Sequence, residues 1–231
     1  MKRILLIMTL LLAGFAAWAG EPYCCTTPGR TLVYERTKAN GRIERTVTME
    51  YTAVRRSGTK RLVDCILTVR GPGGAELYGG PSEQTTTVNA DGTVVQNLGE
   101  SLRAVLHNMF PGAAQSVEDI PAILPADMKP GDKLPDGRGT VKTGVMTHSM
   151  EIIEREVLRY ERVTVPAGTF DCIVVREHKI ERGIGRNRDT LTENWYAPGI
   201  GPVRHDSYNY NNGNPTFGAR EVLKKYELCR I

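Results

Sequence analysis

Two phrases decide the reading of this chain: Val163-Thr-Val-Pro-Ala-Gly-Thr-Phe170 and Trp195-Tyr-Ala-Pro-Gly-Ile-Gly-Pro-Val203. Each reads as strand, tight turn, strand. In the first, Val163 and Val165 run into Pro166-Ala167-Gly168, and Phe170 to Val175 leads away. In the second, Thr190 to Tyr196 meets Pro198-Gly199 and restarts at Pro202-Val203. Proline presets the first corner of a turn and glycine supplies the positive φ of the next, so both phrases are hairpin punctuation.

Outward from this centre the same grammar repeats. Thr140 to Ile153 and Glu156 to Val165 pair upstream, and Phe170 to Ile180 pairs with Asp189 to Tyr196. Val203 to Tyr210 and Phe217 to Cys229 follow across Asn211-Asn-Gly-Asn-Pro215. In the N-terminal half, Asn40-Gly41 joins Thr31–Thr37 to Arg42–Val54, a strong short-range hairpin signal. Ile43, Val47, Met49, Tyr51 and Ala53 share one face of the second run, while Glu44, Thr46, Thr48, Glu50 and Thr52 take the other. Period 2 means one face in a core and one in water. Arg61–Arg70 continues it, with Val63, Cys65, Leu67 and Val69 inward. Asn89-Ala-Asp-Gly92 makes a further hairpin. The pattern gives about eleven strands. Charges scattered singly along these runs read as solvated sheet faces.

One helix stands out after Asn97. Glu100 lies three residues on, a capping-box arrangement, and Leu98, Leu102, Val105, Leu106 and Met109 form one apolar stripe ended by Phe110-Pro111-Gly112. A helix of about three turns is not stable alone, so the stripe must lie on the sheet. Two stretches have no clear pattern. Gly71–Pro81 is a glycine-rich loop without the Lys-Ser/Thr of a phosphate-binding loop. Ala113–Gly139 reads as mostly loop, with one short helical turn near Ser116–Asp119.

The 231 residues begin with Lys2-Arg3, an apolar run Ile4–Ala16 and Ala17-Trp18-Ala19, the plan of a cleavable export signal with cleavage near Ala19. The run is too short for a membrane span, which needs about 20 residues. Cys24 and Cys25 come too late for a lipid-attachment signal. The expected mature chain, residues 20–231, is one β-rich domain, periplasmic or secreted and not membrane-spanning. Loss of Lys2 and Arg3 lowers the formal charge from +4 to +2, which with no basic block excludes a nucleic-acid partner. In an oxidising compartment Cys24 or Cys25 can pair with Cys229, tying the termini together, and the odd total of five leaves one thiol over.

No cofactor or metal signature is present, and no catalytic one: there is no Gly-x-Ser-x-Gly and no His-Glu-x-x-His. His107, His148, His178 and His205 lie apart, and His205 and Asp206, being neighbours in a strand, face opposite ways. The aromatics Tyr160, Phe170, Trp195 and Tyr196, with Leu102 and Leu106 from the helix, are candidates to line an apolar ligand cavity. The alternative is that Trp195 and Phe170 are simply core.

A long antiparallel meander curls, so the expected fold is mainly β: a curved sheet forming a half-open barrel with one amphipathic helix packed on its concave side. Val-Pro-Ala-Gly-Thr-Phe-Asp-Cys (165–172) with Trp-Tyr-Ala-Pro-Gly-Ile-Gly-Pro-Val (195–203), and Lys-Pro-Gly-Asp-Lys-Leu (129–134) upstream, resembles the signature of a family of exported bacterial β-proteins of unknown function. The resemblance spans roughly residues 120–228. It implies a fold similar to the half-barrel of the periplasmic lipoprotein carriers of the Lol system. The expected role is therefore a carrier or binding module for an apolar or lipidic ligand. An envelope structural or interaction protein, contacting an envelope partner through a sheet edge or the 71–81 loop, is the alternative, and a secreted hydrolase is held in reserve.

Overall fold

The computed structural model describes residues 20–211 and 214–228. Fourteen strands and one helix follow in chain order among them. The N-terminal group is β1 (Arg30–Lys38), β2 (Ile43–Ser57), β3 (Lys60–Arg70), β4 (Ser82–Val88) and β5 (Val94–Gln96). Helix α1 (Leu98–Met109) comes next, then β6 (Gln115–Ile120), β7 (Ala122–Leu124) and β8 (Lys133–Leu134). The C-terminal group is β9 (Gly137–Thr143), β10 (Met146–Val165), β11 (Gly168–Gly183), β12 (Arg186–Ala197), β13 (Gly201–Asn211) and β14 (Asn214–Leu228). The short strands β6, β7 and β8 replace the loop and helical turn expected over residues 113–139. They carry few residues each, and their pairing is dictated by distant partners.

All strands belong to one antiparallel sheet in the order β6-β9-β10-β11-β12-β13-β14-β1-β2-β3-β4-β5-β7, with β8 on β10. The β1–β14 pairing, Arg30↔Leu228 to Lys38↔Ala219, joins the two halves. The sheet is nearly closed into a barrel with one unsealed seam, between the outer strands β6 and β7. Residues 1–19, expected to be an export signal, and Cys229 lie outside the described residues. The proposed Cys24/Cys25–Cys229 pairing is therefore outside them too.

Registers show which face is inner. Val47, Cys65, Leu32, Leu223, Val203, Tyr196 and Ile173 fall on one face of consecutive strands, and that face holds the main core. Helix α1 lies on it, against β9, β6 and β4. Its approach is set by two glycines. A Cβ on Gly139 of β9 would sit 2.1 Å from the Gly99 amide nitrogen, and one on Gly99 would sit 2.8 Å from Val117 Cγ1. Only paired glycines let helix backbone and sheet backbone come this close. The capping differs from the expected box. The Asn97 side chain makes no cap. Asp119 of β6 instead accepts from the Glu100 amide at 3.1 Å, so the edge strand caps the helix. Glu100 itself pairs with Arg103.

The seam is pinned from β10. Pairing slips between Ile153 and Glu156, where Glu154 has φ +53°. This bulge shifts the phase of the strand, so Arg155 points inward along with Ile152. The Arg155 side chain has no exposed surface and lies 3.4 Å from Glu177 of β11. It donates to the carbonyls of Ile123 in β7, at 3.0 Å, and of Pro135, at 2.8 Å. One guanidinium thus ties the middle of the sheet to its far edge. Removing it leaves the buried Glu177 carboxylate with Asn194 but without its ion-pair partner, and takes a donor from two carbonyls. Arg155→Met is expected to cost about 3–5 kcal/mol in urea unfolding, and adding Glu177→Gln is expected to recover a substantial part of that.

Candidate functional site

Two regions inside this frame carry chemistry. The first is the upper lumen, toward the β1–β2, β9–β10 and β11–β12 turns. Here inward positions are polar. Glu177 and Glu181 of β11, Thr192 and Asn194 of β12, Ser207 of β13 and Arg36 of β1 are all buried. The expectation that scattered charges mark solvated faces fails for Arg36, Arg155, Glu177 and Glu181. Period 2 tells that two faces differ, and here the inner one is polar at one end and apolar at the other.

These groups satisfy one another. Arg36 donates to Ser207 Oγ at 2.6 Å and to Glu44 at 2.8 Å. Arg45 donates to Glu221 at 3.1 and 3.2 Å. Asn194 donates to Glu177 at 3.1 Å, and its oxygen meets His205 Nδ1 at 2.5 Å. Glu44 of β2 also faces Arg188 of β12 at 4.0 Å, a pair that spans the mouth across three intervening strands. Burial pushes the Glu177 carboxyl up against the pull of Arg155. Burial, with Lys179, Arg36 and Arg45 nearby, pushes His205 down to about 3. His205 is thus neutral, able to serve as hydrogen-bond partner only. The lumen is an ordered polar network, which fixes strand register and shape.

The second region is at the opposite end, by the β10–β11 and β12–β13 turns. The N-terminal segment before β1 enters here. Gly199 donates to Pro22 O at 2.8 Å, and Tyr23 stacks edge-on to Tyr196 at 6.5 Å. Between this segment and β10–β11 lies a pocket of about 460 Å3. Tyr23, Tyr160, Ile173 and Pro198 form its apolar walls, with Glu161, Arg162 and Asp171 around it. Tyr160 is 63% exposed, and its hydroxyl donates to Met128 O at 3.2 Å. Cys172 also lines it; burial, then Asp171 and Glu161, push its thiol up to about 12, so it stays protonated and is no nucleophile at neutral pH.

The sequence candidates are dispersed. Tyr160 lines the pocket, while Tyr196 is inner core beside it. Trp195 and Phe170 stand opposite Val174 and Val163, on the face of β11 and β12 away from Ile173 and Tyr196, yet they are core as the alternative expected: Trp195, Val174 and Val163 belong to the main core and Phe170 packs on it. Trp195 is only 2% exposed. Arg204 lies over its ring at 4.1 Å and Arg159 at 5.7 Å, and the β10–β11 tip bends to β14, where Ala167 donates to Leu223 O. Beneath, buried Asp206 receives paired bonds from both Arg204 and Arg220. Leu106 is buried and Leu102 half-buried on α1, apart from the pocket. The 71–81 loop folds inward, with Leu77 and Tyr78 packed on the core and Asn108 of α1 bonded to Pro81 O. His178 pairs with Asp189 on the outer face, whereas His148 and His205 face inward, so the histidines do not converge. No group of three His, Cys, Asp or Glu suited to a metal occurs among the described residues. Tyr23 and Ile173 had no local signal: their meeting depends on where the N-terminal segment folds.

The family and fold comparisons agree with this architecture. A family model described as DUF3108-like matches residues 27–215. A crystal structure from Bacteroides fragilis, described as an exported protein with a YmcC-like fold, superposes with TM-score 0.71 at 19% identity, covering 90% of this chain and 99% of that one. A lipoprotein structure from Parabacteroides distasonis gives TM-score 0.71 at 18% identity with the same coverages. At these identities the likeness is one of fold. No curated protein sequence matches the chain.

The depressed His205 has a sign that can be tested. Its folded pKa lies below the unfolded value of about 6.5, so the unfolded chain takes up the proton first. The stability this neutral ring supports is complete above pH about 6.5 and is lost as pH falls toward 3. Urea unfolding at pH 7.5 and 4.5 should show a larger loss in the parent than in His205→Gln, by about 1–2 kcal/mol.

Proposed function

From the premise that the chain belongs to the DUF3108-like family, we propose that it is an exported envelope binding module that holds an apolar or lipidic ligand in the end pocket. The observation that carries this reading is the pocket of about 460 Å3 with Tyr23, Tyr160, Ile173 and Pro198 as walls. That volume is within the usual range for small-molecule sites, and an apolar wall with a few charges at the edge is their usual composition. An acyl chain would lie along the tyrosine and isoleucine surfaces, with its polar end beside Arg162 and Asp171. Export is supported by the leader-like residues 2–19 and by two fold neighbours described as an exported protein and a lipoprotein. The compartment we assign is the periplasm or the exterior, after cleavage near Ala19. Among the described residues no helix is long and apolar enough to cross a membrane.

The proposed ligand lies at the end of the barrel, because the lumen is occupied by its own polar network and the lower interior by packed core. Burial holds the pocket's one thiol protonated, so it is no nucleophile at neutral pH.

Purified mature protein is expected to displace a fluorescent fatty acid from solution and to carry lipid in native mass spectrometry. Tyr160→Ala, at an exposed position that leaves the core intact, should weaken fatty-acid binding at least about tenfold, the scale of losing one aromatic wall. Failure of the parent protein to bind the fatty acid, with no lipid recovered, would remove the reading.

A further inference from the structure

One end of the barrel carries a set of side chains that neither the core nor the pocket uses. In an antiparallel meander every second connection lies at the same end. The β1–β2, β3–β4, β9–β10, β11–β12 and β13–β14 connections therefore share one rim, and the pocket lies at the other. The C-terminus of α1 belongs to the first rim: Asn108 bonds Pro81 O, and Phe110 stacks near His148, two pairs from the β9–β10 turn.

This rim is apolar where turns are ordinarily polar. Val145, 104% exposed, stands at the tip of the β9–β10 turn beside Gly144 with φ +59°. Ile184, 63% exposed, stands at the β11–β12 tip beside Gly185 with φ +66°. In each the glycine supplies the positive φ that closes a two-residue turn. The Val and Ile contribute nothing to that geometry and cover no core. Asn, Asp or Ser would serve the turns equally well. Ile43 at the start of β2, Met109 at the end of α1 and Phe217 near the top of β14 are also exposed, at 46%, 44% and 42%. With neighbouring strands about 4.8 Å apart, successive tips are about 10 Å apart around the rim. The result is an arc of apolar points with no concave groove between them.

The exposed charges at the turn tips are mainly basic. The tips present Lys38, Arg42, Lys142, Arg182 and Arg188, all exposed, and Arg70. Several of these cations have a carboxylate beside them: Glu76 pairs with Arg70 at 2.8 Å, Glu118 with Lys142 at 3.8 Å, Asp189 with Arg182 at 3.9 Å and Glu44 with Arg188 at 4.0 Å. Lys38 and Arg42 make no ion pair among the described residues. The β2–β3 turn at the other end is also basic, with Arg56, Lys60 and Arg61, but no large apolar side chain is exposed there. At that end Tyr160 and Leu228 are also exposed, but within strands and not at turn tips, so basic and apolar groups coincide at the tips of the first rim.

We propose that this rim docks on the surface of an anionic lipid bilayer, with Val145 and Ile184 entering the headgroup region and Lys38, Arg42, Lys142 and Arg182 facing lipid phosphates. Shallow apolar insertion combined with attraction to anionic lipid is how monotopic proteins bind interfaces. A protein partner would call for a shaped, contiguous surface, whereas separated apolar tips set among cations suit a fluid, negatively charged one. The pocket then faces away from the docked membrane, since β12 separates the two ends by about 3.3 Å per residue along its length. Docking by the rim and ligand binding in the pocket are independent claims.

The test uses the mature chain and sedimentation with vesicles of phosphatidylcholine, with and without about 30% phosphatidylglycerol, the anionic fraction on which interfacial attraction depends. Binding to the anionic vesicles should be at least tenfold tighter and should weaken with salt. Val145→Asp/Ile184→Asp, at positions outside the core, should lose at least tenfold, and Lys38→Glu/Arg42→Glu should lose the preference for anionic lipid. Tyr160→Ala in the pocket should bind vesicles as the parent does, which separates failure of the pocket from failure of the rim. No sedimentation with either vesicle, or a Val145→Asp/Ile184→Asp variant that binds as the parent does, would overturn the proposal. So would a parent that forms dimers abolished by that variant without binding vesicles, because the rim would then be a face between copies.

Discussion

A sheet that curls until its first and last strands nearly meet leaves two edges that must be satisfied, and here the closure depends on one buried guanidinium and one pair of glycines. Arg155 carries a bond from the long strand β10 to the carbonyl of Ile123 on the far edge. It can do so only because the bulge at Glu154 turns it inward. The helix fills the remaining gap because Gly99 and Gly139 let two backbones meet where any Cβ would collide. The edge strand β6 returns the favour by capping the helix with Asp119. Helix, bulge and edges therefore form one mutually dependent unit.

Closure also explains the division of the interior. Near the mouth many inward groups are charged or polar and pair between strands: Arg36 with Ser207, Asn194 with Glu177 and His205. Such bonds are directional, so they hold register where smooth apolar packing would let strands slip. At the other end the core is apolar and is completed by the N-terminal segment, whose Tyr23 meets Tyr196. The pocket arises at the boundary of that late addition. The two conspicuous phrases at 163–170 and 195–203 shape this end. The first curls onto β14 through Ala167, and the second presents Trp195 to the face away from Ile173 and Tyr196, where two arginines cover it.

Much of the fold was legible because turn chemistry is local. Asn40-Gly41, Pro166-Ala-Gly168 and Pro198-Gly199 each mark a real hairpin, and the alternation names the inner face correctly for Val47, Met49 and Tyr51 of β2 and for β3, while bulges turn Ile43 and Ala53 off that face. The single helix and its place on the concave side followed from its apolar stripe. What local pattern could not show is what distant strands impose. Strands β6 to β8 are too short to announce themselves. The bulge at Glu154 breaks the phase that would have placed Arg155 in water. Inward Glu177 and Arg36 look like surface charges until their partners are known. Of the aromatics singled out in sequence, Tyr160 lines the pocket, whereas Trp195 lies on the other face. Trp195 and Tyr196 were bound to face opposite ways, but only the register tells which joins Ile173.

Amide hydrogen exchange under native conditions tests the closure most directly. If the seam holds the barrel together, amides of α1, β6 and β7 exchange only through the same global opening as those of β11 to β14, with matching free energies and a matching response to denaturant. If α1, β6 and β7 exchange by a separate low-energy opening while β11 to β14 remain protected, the helix and its edges are an appendage, and the closure is not what the fold depends on.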